Sequence, residues 1–144
     1  MADIAAIVQA IATELGGDQA TPEEDGTYTL PVAEDGEVVA LVTIYADEVE
    51  DGPAKGQGIL MVRAIAGELD ESIETFLLED AGSTWFARAY LEQESEEARP
   101  EIILEAGLPL DGLSAKIAAQ AVVEVVDLAL QAEDYVLPED EDEA

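Results

Sequence analysis

Cysteine and histidine are both absent from these 144 residues, and only five lysines and arginines stand against 35 aspartates and glutamates. Without thiols the chain forms no disulfide and no thiolate metal site; without imidazole it lacks the usual base at neutral pH and the commonest nitrogen ligand. Asparagine is missing too, aromatic residues make up only 5%, and no uninterrupted apolar run has membrane-spanning length. Carboxylates dominate what remains, and the formal net charge is -30. A compact chain of that charge repels itself in dilute buffer, whereas molar salt shortens the screening length to about 3 Å and removes most of the penalty. A salty setting, with the acidity as halophilic adaptation, is therefore expected. The same charge opposes anionic lipid headgroups and phosphate backbones, so neither membrane association nor direct nucleic-acid binding is expected.

Hydrophobic residues still account for 49% of the chain, enough for one domain with a substantial core, and this excludes general disorder. Ile4, Ile7, Val8, Ile11 and Leu15 recur at helical spacing behind Asp3 and stop at Gly16-Gly17, which predicts an amphipathic helix. Polar interruptions and the lack of a basic leader distinguish this stretch from a signal peptide, and a cytoplasmic location is expected. Residues 18–25 read as an acidic loop. Strands are predicted over 27–32, 37–47 and 59–65, the second being apolar on both faces: Val38, Val42 and Ile44 against Val39, Leu41 and Tyr45.

A helix over about 70–81 follows, with Ile73, Phe76, Leu77 and Ala81 as its apolar stripe. Two more strands are predicted, one over 84–91 and one containing Ile102, Ile103 and Leu104. A long final helix opens near Asp111 or Ser114, and its broad apolar arc carries Leu113, Ile117, Ala121, Val125, Leu128 and Ala132. The order is helix, three strands, helix, two strands, helix: an α+β domain over 1–137 whose antiparallel sheet is covered by helices, followed by an acidic tail over 138–144.

Chemistry-bearing motifs are scarce. Adjacent carboxylates such as Glu23-Glu24 and Glu96-Glu97 arise by chance in so acidic a chain and fall in predicted loops, where they read as solvated surface. The run Glu139-Asp140-Glu141-Asp142 lacks the glycine and ligand spacing of a calcium loop. Neither a phosphate-binding glycine loop nor a nucleophile elbow is present. Arg63, Arg88 and Arg99 are scattered and read as partners in local ion pairs. No enzymatic activity, metal or cofactor is expected.

One stretch carries a family resemblance. From Glu105 to Tyr135, Leu108-Pro109-Leu110-Asp111 closes the last strand, Leu113-Ser114 opens the helix, and Asp127 and Asp134-Tyr135 lie towards its end. This pattern, with the order of elements over about residues 2–137, resembles the type III secretion chaperone-like fold. Within that fold it resembles the YbjN-type family of bacterial sensory transduction regulators. Proteins of the chaperone type are small, acidic and commonly dimeric, and bind an extended segment of a client across apolar patches. The resemblance thus implies a chaperone-like, protein-binding module and a homodimer. The chain departs from the pattern in its extreme acidity.

Apolar grooves around Ile4, Ile7 and Ile11 are the expected client-binding surface. Phe76, Leu77, Trp85 and Phe86 gather bulky apolar side chains on two short elements and are the expected dimer interface, with ordinary core as the competing reading for Phe76, Trp85 and Phe86. The alternative function is an acidic regulatory protein whose ordered carboxylates mimic nucleic acid, which demands a contiguous stripe of phosphate-like spacing. A hydrolase would demand a concave pocket with differently perturbed carboxylates.

Overall fold

Alternation fixes which side of each strand is dry. Leu30 and Val32, Val42 and Ile44, and Leu60, Val62 and Ala64 all point to one face and are buried there. In the computed structural model, which describes residues 4–16, 20–68, 84–92 and 101–132, these residues belong to a single antiparallel sheet. Helix α1 spans Ile4–Leu15 and is followed by β1 (Thr21–Pro22), β2 (Tyr28–Glu34), β3 (Glu37–Glu48), β4 (Gly58–Glu68), β5 (Ala87–Glu92) and β6 (Glu101–Pro109). Helix α2 spans Ala115–Ala132. The strands are ordered β1-β2-β3-β4-β6-β5, and each neighbouring pair is antiparallel.

Both described helices lie on the same face. Helix α1 rests on β2, β3 and α2, while α2 crosses β3, β4, β6 and β5. Their apolar arcs bury Val8, Ile11, Ala121, Val122, Val125 and Leu128 against Ile44, Leu60, Ile102 and Leu104 in one continuous core. Burying each large aliphatic side chain contributes roughly 1.5–3 kcal/mol relative to leaving it in water.

Local chemistry sets the connections. Asp35 and Gly36 both adopt positive φ, 51° and 84°, as the two-residue turn between β2 and β3 requires. Ser114 caps α2, its Oγ accepting the backbone N–H groups of Lys116 at 3.1 Å and Ile117 at 3.4 Å. At the far end of the sheet, the Leu110 N–H donates to the Gly58 carbonyl at 2.9 Å, and a Cβ at Gly58 would lie 3.0 Å from Leu110 Cδ1. Glycine permits that approach.

The α+β class and the antiparallel sheet agree with the sequence, but the details differ. A further strand, β1, occupies the predicted loop 18–25, where Thr21 and Pro22 pair with Thr29 and Tyr28. The alternation expected along β3 breaks at a bulge: Val32 pairs with Ala40 but Ala33 with Val38, leaving Val39 as the extra residue. Apolar character on both faces of β3 does not mean cover on both, since Leu41 keeps 62% of its surface exposed. The helix expected over 70–81 and the acidic tail lie outside the described residues.

Candidate functional site

The edge of the sheet near β2 combines an open backbone with an apolar hollow. Strand β1 reaches only Tyr28 and Thr29, so from Leu30 to Glu34 the outer edge of β2 has no strand partner among the described residues. Pro31 is tolerated in such a strand because its nitrogen, which bears no hydrogen, faces away from β3. Beside this edge lies a cavity of about 140 Å³. Ala12 and Leu15 of α1 form one wall, Leu30 to Ala33 of β2 another, and Val123 and Val126 of α2 the third, with Glu34 and Asp127 also lining it. The hollow accommodates apolar side chains of an added segment while the β2 edge offers backbone hydrogen bonds.

The residues expected to form this surface are displaced along the helix. Ile11 is completely buried in the core and is unavailable to a client, a correction that follows from its facing α2 and the sheet. Ile4 and Ile7 are half-buried at the other end of α1, packed against the core. None of the three lines the cavity; Ala12 and Leu15 do, and of these helical spacing marked Leu15 as part of the apolar stripe but not Ala12.

The opposite face of the sheet is polar along one line. Thr29, Thr43, Arg63, Glu105 and Arg88 stand in register across β2, β3, β4, β6 and β5. The Glu105 carboxylate is nearly buried, accepting from Arg88 Nη2 and, at 3.2 Å, from the Tyr90 hydroxyl. Burial and the Glu105 charge both push the Tyr90 hydroxyl above its ordinary pKa. Arg63 pairs with Glu92, and its Nε is buried without an acceptor among the described residues. Arg63 and Arg88 are thus local ion-pair partners, as their scatter along the chain suggested; Arg99 lies outside the described residues.

Trp85 and Phe86 stand just before β5. Trp85 is 86% exposed, which corrects the reading of it as core, and Phe86 is 36% exposed. The reason is Glu124 of α2. Its Oε1 accepts the backbone N–H groups of Trp85 at 3.1 Å, Phe86 at 2.7 Å and Ala87 at 3.0 Å, so these amides are captured before strand pairing begins. Burial raises the Glu124 carboxyl, but the Phe86 amide, the Gln120 carboxamide and the Ala87 and Trp85 amides together hold it below its ordinary value. Sequence reasoning missed Glu124; its signal was a lone carboxylate amid Val122, Val123, Val125 and Val126. Phe76 and Leu77 lie outside the described residues.

Among the described residues, no group of three or more acidic side chains is placed to hold a metal ion, and no helix is long and apolar enough to cross a membrane. No family model matches the sequence, and no significant match is found among curated proteins. Solved structures do match. The Yersinia pestis type III secretion chaperone SycH, solved with a stable fragment of YscM2, aligns over 90% of this chain and 98% of its own, with a TM-score of 0.58 and 18% identity. The chain has the type III secretion chaperone fold. The HopA1–SchA chaperone–effector complex gives a TM-score of 0.57 at 10% identity, covering 93% of this chain and 99% of that one. YbjN of E. coli shares the fold at a TM-score of 0.52 and 17% identity, over 89% of this chain and 91% of its own. The chaperone fold thus extends across the sheet and both helices, including the stretch before Glu105 in which the sequence carries no recognisable motif.

Proposed function

We propose that the protein is a chaperone-like binding module that holds an extended segment of a client protein. The observation that carries this reading is the apolar hollow between α1, β2 and α2 lying directly beside the Leu30–Glu34 edge of β2, which no strand pairs among the described residues, in a fold shared with chaperones solved in complex with their partners. A client strand would pair with β2 and place one face of its side chains in the hollow, giving main-chain affinity with pocket-based selectivity. Ile4 and Ile7 extend the client surface along α1.

The working unit is a homodimer in the cytoplasm, with Trp85 and Phe86 in its contact, together with Phe76 and Leu77. The exposure of Trp85 and Phe86 just before β5 supports this assignment. Two copies bring a formal charge of -60, twice the -30 of one chain, so the contact is apolar with carboxylates at its rim and strengthens as salt is added. The test of the function is a pull-down from the native cytoplasm in molar potassium chloride, where attraction between the acidic chain and basic proteins is screened. Recovery of one stoichiometric client is expected; a salt-sensitive scatter of basic proteins would contradict the reading.

A further inference from the structure

A carboxylate in the apolar arc of a helix costs free energy unless its oxygens are satisfied. Glu124 is only 6% exposed, and its partners are three consecutive amides 37 to 39 residues away in sequence and the Gln120 carboxamide, 3.2 Å from Oε2. An alanine or leucine would suit core packing better. What the carboxylate adds is order in the turn that it grips, since successive N–H groups converging on one anion form a backbone nest. We propose that Glu124 is a positioning residue that locks the Thr84–Ala87 turn in one orientation and thereby fixes Trp85 as a rigid aromatic projection at the β5 corner. The lock belongs to the isolated chain and holds whether or not that corner meets a partner.

Among the described residues, charged side chains elsewhere leave Glu124 to its amides. On α2, Lys116 and Asp127 are exposed. On β5 and β6, Arg88 is engaged with Glu105 and Glu92 with Arg63 on the far face of the sheet, while Glu101 stands opposite Glu92. The Gln120 and Glu124 pair sits one turn apart on α2, so the helix presents carboxylate and carboxamide together.

Trp85 is the only tryptophan in the chain, so its fluorescence reports on the turn alone. The experiment compares the full chain with Glu124→Gln and Glu124→Ala by residue-resolved amide exchange and by time-resolved anisotropy of Trp85, both in molar potassium chloride. Glu124→Gln keeps the size and one acceptor but loses the charge, which roughly halves the strength of each bond. Exchange at Trp85, Phe86 and Ala87 is expected to accelerate severalfold, with a larger fast depolarisation of Trp85 and unchanged protection at Leu104 in the core. In Glu124→Ala the acceleration is expected to reach roughly tenfold or more. As pH falls below the ordinary carboxylate range, the wild-type anisotropy should drop while that of Glu124→Gln stays flat through the same interval. Glu124→Gln with wild-type exchange and anisotropy at the turn, or with acceleration spread evenly over the sheet, overturns the proposal.

Discussion

Arg63 and Glu92 form a forked ion pair across the width of β6, Arg63 Nη2 lying 3.0 Å from each carboxylate oxygen. Its side chains are 28% and 46% exposed, whereas Glu105, which pairs with Arg88, has a side chain only 7% exposed. Burial, more than geometry, separates the two pairs energetically. A double-mutant cycle on Arg63 and Glu92 is expected to give a coupling of about 0–1 kcal/mol, shrinking further in molar salt. Arg88→Ala strips a buried carboxylate of its cation and should cost about 1–3 kcal/mol in chemical unfolding. Equal losses from Arg63→Ala and Arg88→Ala would contradict this ordering.

The amides held by Glu124 make a pH prediction with a definite sign. The folded carboxyl lies below its ordinary value, so unfolding raises its proton affinity and the unfolded state binds more protons. Its stabilisation is complete above the ordinary carboxylate pKa and is lost as pH falls through the lowered folded value. Denaturation midpoints measured across that interval should therefore fall less steeply for Glu124→Gln than for the wild type. Many other carboxylates titrate there as well, so the difference between the two curves is the quantity to read.

Like-charge repulsion at a net charge of -30 opposes the compact state, and salt screens it while apolar burial remains. The unfolding midpoint should rise from dilute buffer into molar potassium chloride. Equal rises with sodium, potassium and tetramethylammonium at matched ionic strength identify screening. A rise restricted to one cation would point to discrete sites instead, and a flat midpoint would contradict the electrostatic account.

Assembly should respond to salt in the same direction. Sedimentation across protein concentration is expected to show a dimer that tightens towards molar salt. Phe86→Glu should weaken the dimer by tenfold or more, roughly the loss of one buried aromatic contact, while leaving the unfolding midpoint within a few degrees. A monomer at high concentration in molar salt would refute the dimer; matched losses of assembly and stability would place Phe86 in the core.

Much of the fold was legible because period-two and helical spacing report burial directly. The pairs Val42 and Ile44, Leu60 and Val62, and Val8 and Ile11 are all buried, as their spacing requires. Of the two starts offered for the last helix, Asp111 and Ser114, it is the Ser114 hydroxyl that caps α2. Strand β1 was hidden because two residues show no period and Pro22 reads as a turn. Trp85 and Phe86 fall before β5, although alternation predicts a strand over 84–91, because their backbone amides bond to a side chain from a distant helix, a tertiary event to which alternation is blind. The hollow was displaced from Ile4, Ile7 and Ile11 because large apolar residues fill the core that α2 closes, while the smaller Ala12 leaves space beside Leu15. Spacing identifies the helix face that turns inward; it does not reveal where the partners on that face fall short of filling it.

The absence of cysteine permits the most direct test of client capture at the β2 edge. Ala33→Cys places a single thiol at an exposed position lining the hollow, and Lys55→Cys places one in the exposed β3–β4 connection. Each variant, labelled with a benzophenone maleimide, is irradiated in native cell extract at molar potassium chloride, and the crosslinked peptides are sequenced. Crosslinking from position 33, but not from 55, to one continuous segment of one protein is predicted, with loss of that product when unlabelled client segment is added in excess. Equal crosslinking from both positions, or products from position 33 that scatter over many proteins and resist competition, would contradict a client-holding groove.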